Sequence, residues 1–175
     1  MPFLTLTLIG EDRPGLVELL SERIAGGGGN WLESRMARLG GRFAGVLLVE
    51  VPAEGVVGLG DALRKLEGQG LRVTVEEGGG EPAPAPLRTL ELALVGHDRP
   101  GIVRDVARVL AARQVGIEEL ETGVESGSFS GEALFRARAR LTLPAGLSPE
   151  ELRMALETLA NELMADLTLQ EPPAA

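Results

Sequence analysis

Two aspartates recur in the same company. Asp12 lies in Gly10-Glu11-Asp12-Arg13-Pro14-Gly15, and Asp98 in Gly96-His97-Asp98-Arg99-Pro100-Gly101. In each copy an acceptor side chain stands three residues before a glycine, just ahead of an apolar pair, Leu16-Val17 or Ile102-Val103. The chemistry on offer is capture of a small charged molecule. Amides at a helix start, on Gly15-Leu16 and Gly101-Ile102, carry partial positive charge and suit a carboxylate. Gly10 and Gly96 allow a sharp turn or a close approach to a ligand. Pro14 and Pro100 pre-set the helical dihedral and have no amide to leave unpaired. The same residues also make an ordinary helix start, with Asp12 and Asp98 capping by accepting from the amides of Gly15 and Gly101. Spacing alone leaves both readings open.

Other chemistry is poorly supplied. The 175 residues contain no cysteine, so there is no thiol nucleophile, disulfide or thiolate metal site. His97 is the single histidine, which removes histidine-rich metal clusters and a Ser/His/Asp relay built on a second one. No metal, no cofactor, no catalytic residue and no enzymatic activity are expected. His97 is either an effector contact or pH sensor, or an exposed loop histidine. Gly26-Gly27-Gly28-Gly29 is not followed by Lys-Ser/Thr, so it reads as a helix terminator and not a phosphate loop. A net charge of −9 argues against direct nucleic-acid binding, and 3% aromatic residues leave few stacking platforms. No run reaches the roughly 18 apolar residues of a membrane helix, and no secretory pattern opens the chain. A cytoplasmic protein without membrane contact is expected.

The elements that must position the two aspartates repeat with them. Leu4 to Val17 returns as Leu90 to Val103 at an offset of 86 (96 − 10), and Gly41, Phe43 and Gly45 fall on Gly127, Phe129 and Gly131. Tandem duplication explains this. The expected domains are residues 1–77 and 88–171, with 78–87, a Gly then Pro/Ala run, as linker. Alternating Leu4, Leu6 and Leu8 predict a strand; Leu16, Leu20 and Ile24 share a helix face. Gly40-Gly41 signals a hairpin between Trp31–Leu39 and Phe43–Val51. Val56, Leu59, Leu63 and Leu66 predict a second helix, and Leu71, Val73 and Val75 a closing strand. In the second copy, Ser148-Pro149-Glu150-Glu151 has the form of a capping box. Each copy is thus βαββαβ, an α+β ferredoxin-like unit with a four-stranded antiparallel sheet and two helices on one face. Arg136, Arg138 and Arg140 form a stripe on the outer sheet face, either paired within the chain or meeting a partner. Trp31 belongs in the core, between domains, or lining a ligand cleft. Open sheet edges are usually covered by pairing, so the units are expected to pack together and to homodimerise.

Two βαββαβ units that each open on Gly-x-Asp-Arg-Pro-Gly resemble tandem ACT domains, the amino-acid-sensing modules of metabolic regulation. Gly29-Asn30-Trp31-Leu32-Glu33-Ser34-Arg35-Met36, Gly41-Arg42-Phe43-Ala44-Gly45, Ile117 to Thr122 and Leu163 to Leu169 resemble the glycine cleavage system transcriptional repressor family. The resemblance implies a small amino acid effector, glycine or similar, held near the first loop where two units meet. It implicates Gly10, Asp12, Pro14, Gly15, Leu16 and Asn30 in the first copy. In the second it implicates Gly96, Asp98, Pro100, Gly101 and Ile102, with His97 where the first has Glu11. Asn30 falls on Gly116, so the first copy is the stronger candidate. No helix-turn-helix is left over, so a role in transcription runs through a DNA-binding regulator or an enzyme partner. The alternatives are a ligand-free oligomerisation module or a trans-acting regulatory subunit of a metabolic enzyme.

Overall fold

The structure is a computed structural model and describes residues 1–79, 88–129 and 131–174. It divides into two compact units, 1–82 and 83–175. Residues 80–87 of the expected linker lie outside the described residues.

The first unit runs β1 (Phe3–Glu11), α1 (Leu16–Gly26), β2 (Asn30–Leu39), β3 (Arg42–Glu50), α2 (Val56–Arg64) and β4 (Leu71–Glu77). The second repeats it as β5 (Arg88–His97), α3 (Ile102–Ala111), β6 (Gly116–Ser126), β7 (Ala133–Leu143), α4 (Pro149–Leu163) and β8 (Asp166–Gln170). Strand orders are β2-β3-β1-β4 and β6-β7-β5-β8, with every neighbouring pair antiparallel. Both units are ferredoxin-like, as the periodicities predict.

Alternation decides which face is buried. Leu4, Leu6 and Leu8 of β1 join Leu16, Leu20 and Ile24 of α1 and Leu59 and Leu63 of α2 in one core. Trp31 is half-buried against that core, and its indole N–H donates to Ser34 Oγ at 3.3 Å. Gly40 and Gly41, with φ of 57° and 74°, close the β2–β3 hairpin in two residues, a turn that requires positive φ at both. A 3-10 turn at Lys65–Gln69 extends α2 and buries Leu66.

The hairpin of the second unit breaks the simple repeat. Phe43 pairs with Gly10, but the residue paired with Gly96 is Phe135, an offset of 92 (135 − 43) in place of 86. The expected match of Gly41, Phe43 and Gly45 to Gly127, Phe129 and Gly131 is therefore wrong. Those residues lie in the β6–β7 connection, and Phe129 is fully exposed. The cause is burial: Phe135 and Ala139 face the core, so β7 takes its register from them. Of the four edge strands, β2 and β6 carry a bulge at the same place, between Trp31 and Glu33 in β2 and between Ile117 and Glu119 in β6.

The predicted capping box of α4 is present. Ser148 Oγ accepts from the Glu151 amide at 3.2 Å, and the Ser148 amide donates to Glu151 Oε2 at 2.9 Å. Hydrogen bonding from the Ser148 backbone amide first, and from the Ser148 side chain second, holds the Glu151 carboxyl below its ordinary value of 4.5. Its stabilising effect is therefore present above about pH 4.5 and is lost as pH falls through the lowered value. Ser148→Ala should cost about 1 kcal/mol. That is a drop of roughly 4–8 °C in the melting of this unit at neutral pH. Equal melting at pH 7 would remove the cap from the account.

Candidate functional site

The turn from β1 into α1 departs from an ordinary capped start. Gly15 is the N-cap residue, in the left-handed region at φ 88°, and no side chain caps the helix. The Gly15 carbonyl accepts the first helical bond, from the Leu19 amide at 2.9 Å. Asp12 is thus not a cap, which corrects the helix-capping reading of the motif. Its amide donates to the Gly41 carbonyl at 3.1 Å, and its Oδ2 accepts from Arg38 Nη1 at 3.4 Å. The hairpin turn, not the helix, holds Asp12. Asp98 fails as a cap in the same way: Gly101 sits at φ 91° with no side-chain bond, and the Asp98 amide donates to the Ala133 carbonyl at 2.9 Å.

An open depression of about 380 Å³ lies over this turn, lined by Asp12, Arg13, Gly15, Leu16, Glu18 and Arg38 among others. It places two carboxylates and two guanidinium groups around the first turn of α1. The amides of Leu16, Val17 and Glu18 are in that turn and have no intrahelical acceptor. Leu16 is buried, so it offers this site only its backbone. Pro14 is exposed in the turn before the helix. Arg13 donates to the Gln69 carbonyl, tying the loop to the segment that enters β4.

Gly10 has a different task from the one its motif suggests. It lies within β1, and a Cβ there would come to 2.5 Å from the Gly70 carbonyl oxygen. Close approach to the chain, not to a ligand, demands the glycine. Gly96 is similar, its Cβ meeting that of Ala165 at 2.8 Å.

The structure does not bring Asn30 to this loop within the unit. Asn30 opposes Glu50, which opposes Phe3, whereas Gly10 opposes Phe43 at the other end of the sheet. Seven residues of strand separate the two ends, roughly 23 Å. The antiparallel zigzag puts the start of β2 at the start of β1. The end of β2 instead delivers Arg38 to Asp12. Arg38, Arg13 and Glu18 were not singled out from the sequence; three residues from the Gly41 turn, Arg38 was placed by the hairpin signal itself.

The second loop is chemically distinct. The residue in the place of Arg38 is Val124, which opposes Phe135, and Asp98 has no ion pair among the described residues. Arg104 occupies the position of Glu18 and bonds Asp105 at 3.0 Å, with Arg99 3.6 Å from the same carboxylate. His97 Nδ1 lies 3.2 Å from Glu132 Oε2. Ile102, like Leu16, is buried. Pro100 is an exposed turn residue. Among the described residues there is no group of three or more potential metal ligands, and no helix long and apolar enough to cross a membrane.

Residues 2–76 match the ACT domain family. That match spans the first unit, and the second unit has the same strand order and connectivity. Among characterised proteins it resembles the glycine cleavage system transcriptional repressor of Escherichia coli (strain K12), at 22% identity over 165 residues, covering 93% of this chain and 86% of that one. The crystal structure of an unknown protein from Galdieria sulphuraria is 32% identical, covers 98% of both chains and superposes with a TM-score of 0.82. The crystal structure of a candidate glycine cleavage system transcriptional repressor has the same fold at 20% identity, 97% and 96% coverage and a TM-score of 0.73.

Proposed function

We propose that this protein is a regulatory ACT-domain protein that senses a small amino acid, glycine or similar, and acts through a partner protein. A homodimer is the proposed assembly, and a DNA-binding regulator or a metabolic enzyme the proposed partner. No catalytic role is assigned. The resemblance to the Escherichia coli repressor over nearly the whole chain supports the regulatory role. The observation that carries the ligand class is the depression beside Asp12. A zwitterion needs donors and an acceptor a few ångströms apart, and here Arg38 and the free amides of α1 stand beside the Asp12 and Glu18 carboxylates. Charge-assisted hydrogen bonds contribute roughly 1.5–3 kcal/mol each, so two or three support micromolar to millimolar affinity after association costs. Titration calorimetry of the full chain against a panel of amino acids should detect such binding. Silence across the panel at millimolar concentration would leave a ligand-free oligomerisation module. Co-purification from native extract should then recover a transcription factor or an enzyme.

A further inference from the structure

The two sheets share a frame but not an outer face. Turned away from the helices, the first presents Thr5 beside Leu48 and Thr7 beside Val46. At the equivalent places the second presents Glu91 beside Arg140 and Ala93 beside Arg138. The short side chain of Ala93 floors an open depression of about 440 Å³, walled by Glu91, Glu119, Glu121, Arg138, Arg140 and Thr168 among others. The first unit builds the same sheet with an uncharged centre, so the fold does not require these charges.

The charges are also incompletely matched to one another. Arg136 is satisfied by Glu125 at 2.6 Å, which settles that part of the arginine stripe as internally paired. Arg140 lies 3.5 Å from Glu91, but its Nε is buried without an acceptor. A buried donor left unmade costs more than an average hydrogen bond returns. Arg138 forms no hydrogen bond or ion pair among the described residues, and neither do Glu119 and Glu121 on the adjacent strand. One wall of the depression therefore offers guanidinium donors, and the other offers carboxylates one strand away.

We propose that this depression is a second binding site, for a small zwitterion. Arg138 takes its carboxylate, for which a planar guanidinium is the matching donor. Glu121 and Glu119 take its ammonium. The site shares the ligand class proposed for the loop at Asp12, and rests on that reading to this extent, but it shares none of the loop's residues. The two are separable by amide NMR titration of the full chain with glycine, alanine and serine. Millimolar zwitterion should shift the amides of Ala93, Arg138 and Thr168. Arg138→Val, which installs the residue type the first unit carries at this place, should weaken that response at least about tenfold while Leu16 and Val17 respond as in wild type. Glu121→Gln should act in the same direction. Acetate or methylamine alone should bind at least about tenfold more weakly than glycine. Unmoved Ala93 and Thr168 signals in a chain whose Leu16 and Val17 signals move would overturn this site and leave the loop standing. The opposite pattern would keep this site and remove the loop. Equal binding of acetate and glycine would overturn the zwitterion assignment.

Discussion

Asp12→Ala is expected to weaken amino-acid binding by at least about tenfold, equivalent to roughly 1.4 kcal/mol, while the fold stays intact. The geometry explains why the two effects separate. Asp12 contributes its backbone amide to the Gly41 carbonyl, a bond that alanine keeps. Its carboxylate contributes only an ion pair with Arg38, whose side chain is 75% exposed, and such pairs are worth about 0–1 kcal/mol. Had Asp12 capped α1, the same substitution would have cost about 1 kcal/mol of stability on its own. Asp98→Ala should matter less, because Val124 leaves the second loop without the guanidinium that Arg38 supplies to the first. Calorimetry paired with thermal melting checks both halves. Wild-type affinity in Asp12→Ala would end the role of this loop in sensing.

Gly10→Ala should do the reverse, removing stability before it touches recognition. The added methyl would lie 2.5 Å from the Gly70 carbonyl oxygen and 3.2 Å from Leu71 Cδ1. The first obstacle is backbone, held by the antiparallel pairing of β1 with β4, so it cannot swing aside as a flexible side chain would. Forcing it apart should cost on the order of 3 kcal/mol, at the upper end of ordinary overpacking. Chemical denaturation should show the first unit unfolding early and the second unaffected. Unchanged stability would mean that the strands slide freely at this point, and the ligand-approach reading of Gly10 would return.

The strands and helices were legible because their apolar residues keep strict periods. Leu4, Leu6 and Leu8 can bury together only on a strand, and Leu152, Leu156 and Leu163 only on a helix. Three features escaped the same treatment. The Asp-x-x-Gly pattern looks like a cap, but a glycine at positive φ can open a helix without a side-chain acceptor. The segment Gly127 to Gly131 copies the Gly-x-Phe-x-Gly pattern of 41–45, and only the burial of Phe135, Ala139 and Leu141 shows that β7 begins later. Asn30 follows α1 closely in sequence, yet strand direction carries it to the far end of the sheet, a consequence of topology that residue types do not encode.

The bulges in the edge strands β2 and β6 bear on how the chain behaves in a crowded solution. Strand β6 has eleven residues, all exposed, and one unpaired edge, the kind of template on which copies of a chain can add without limit. The bulge between Ile117 and Glu119 interrupts the even spacing of donors and acceptors that an incoming strand would need. Glu118, Glu119, Glu121 and Glu125 place four like charges beside any second copy of the same strand. Fibril growth through this edge is thereby opposed twice, once by geometry and once by repulsion. Neutralising the glutamates would leave only the geometric barrier against amyloid.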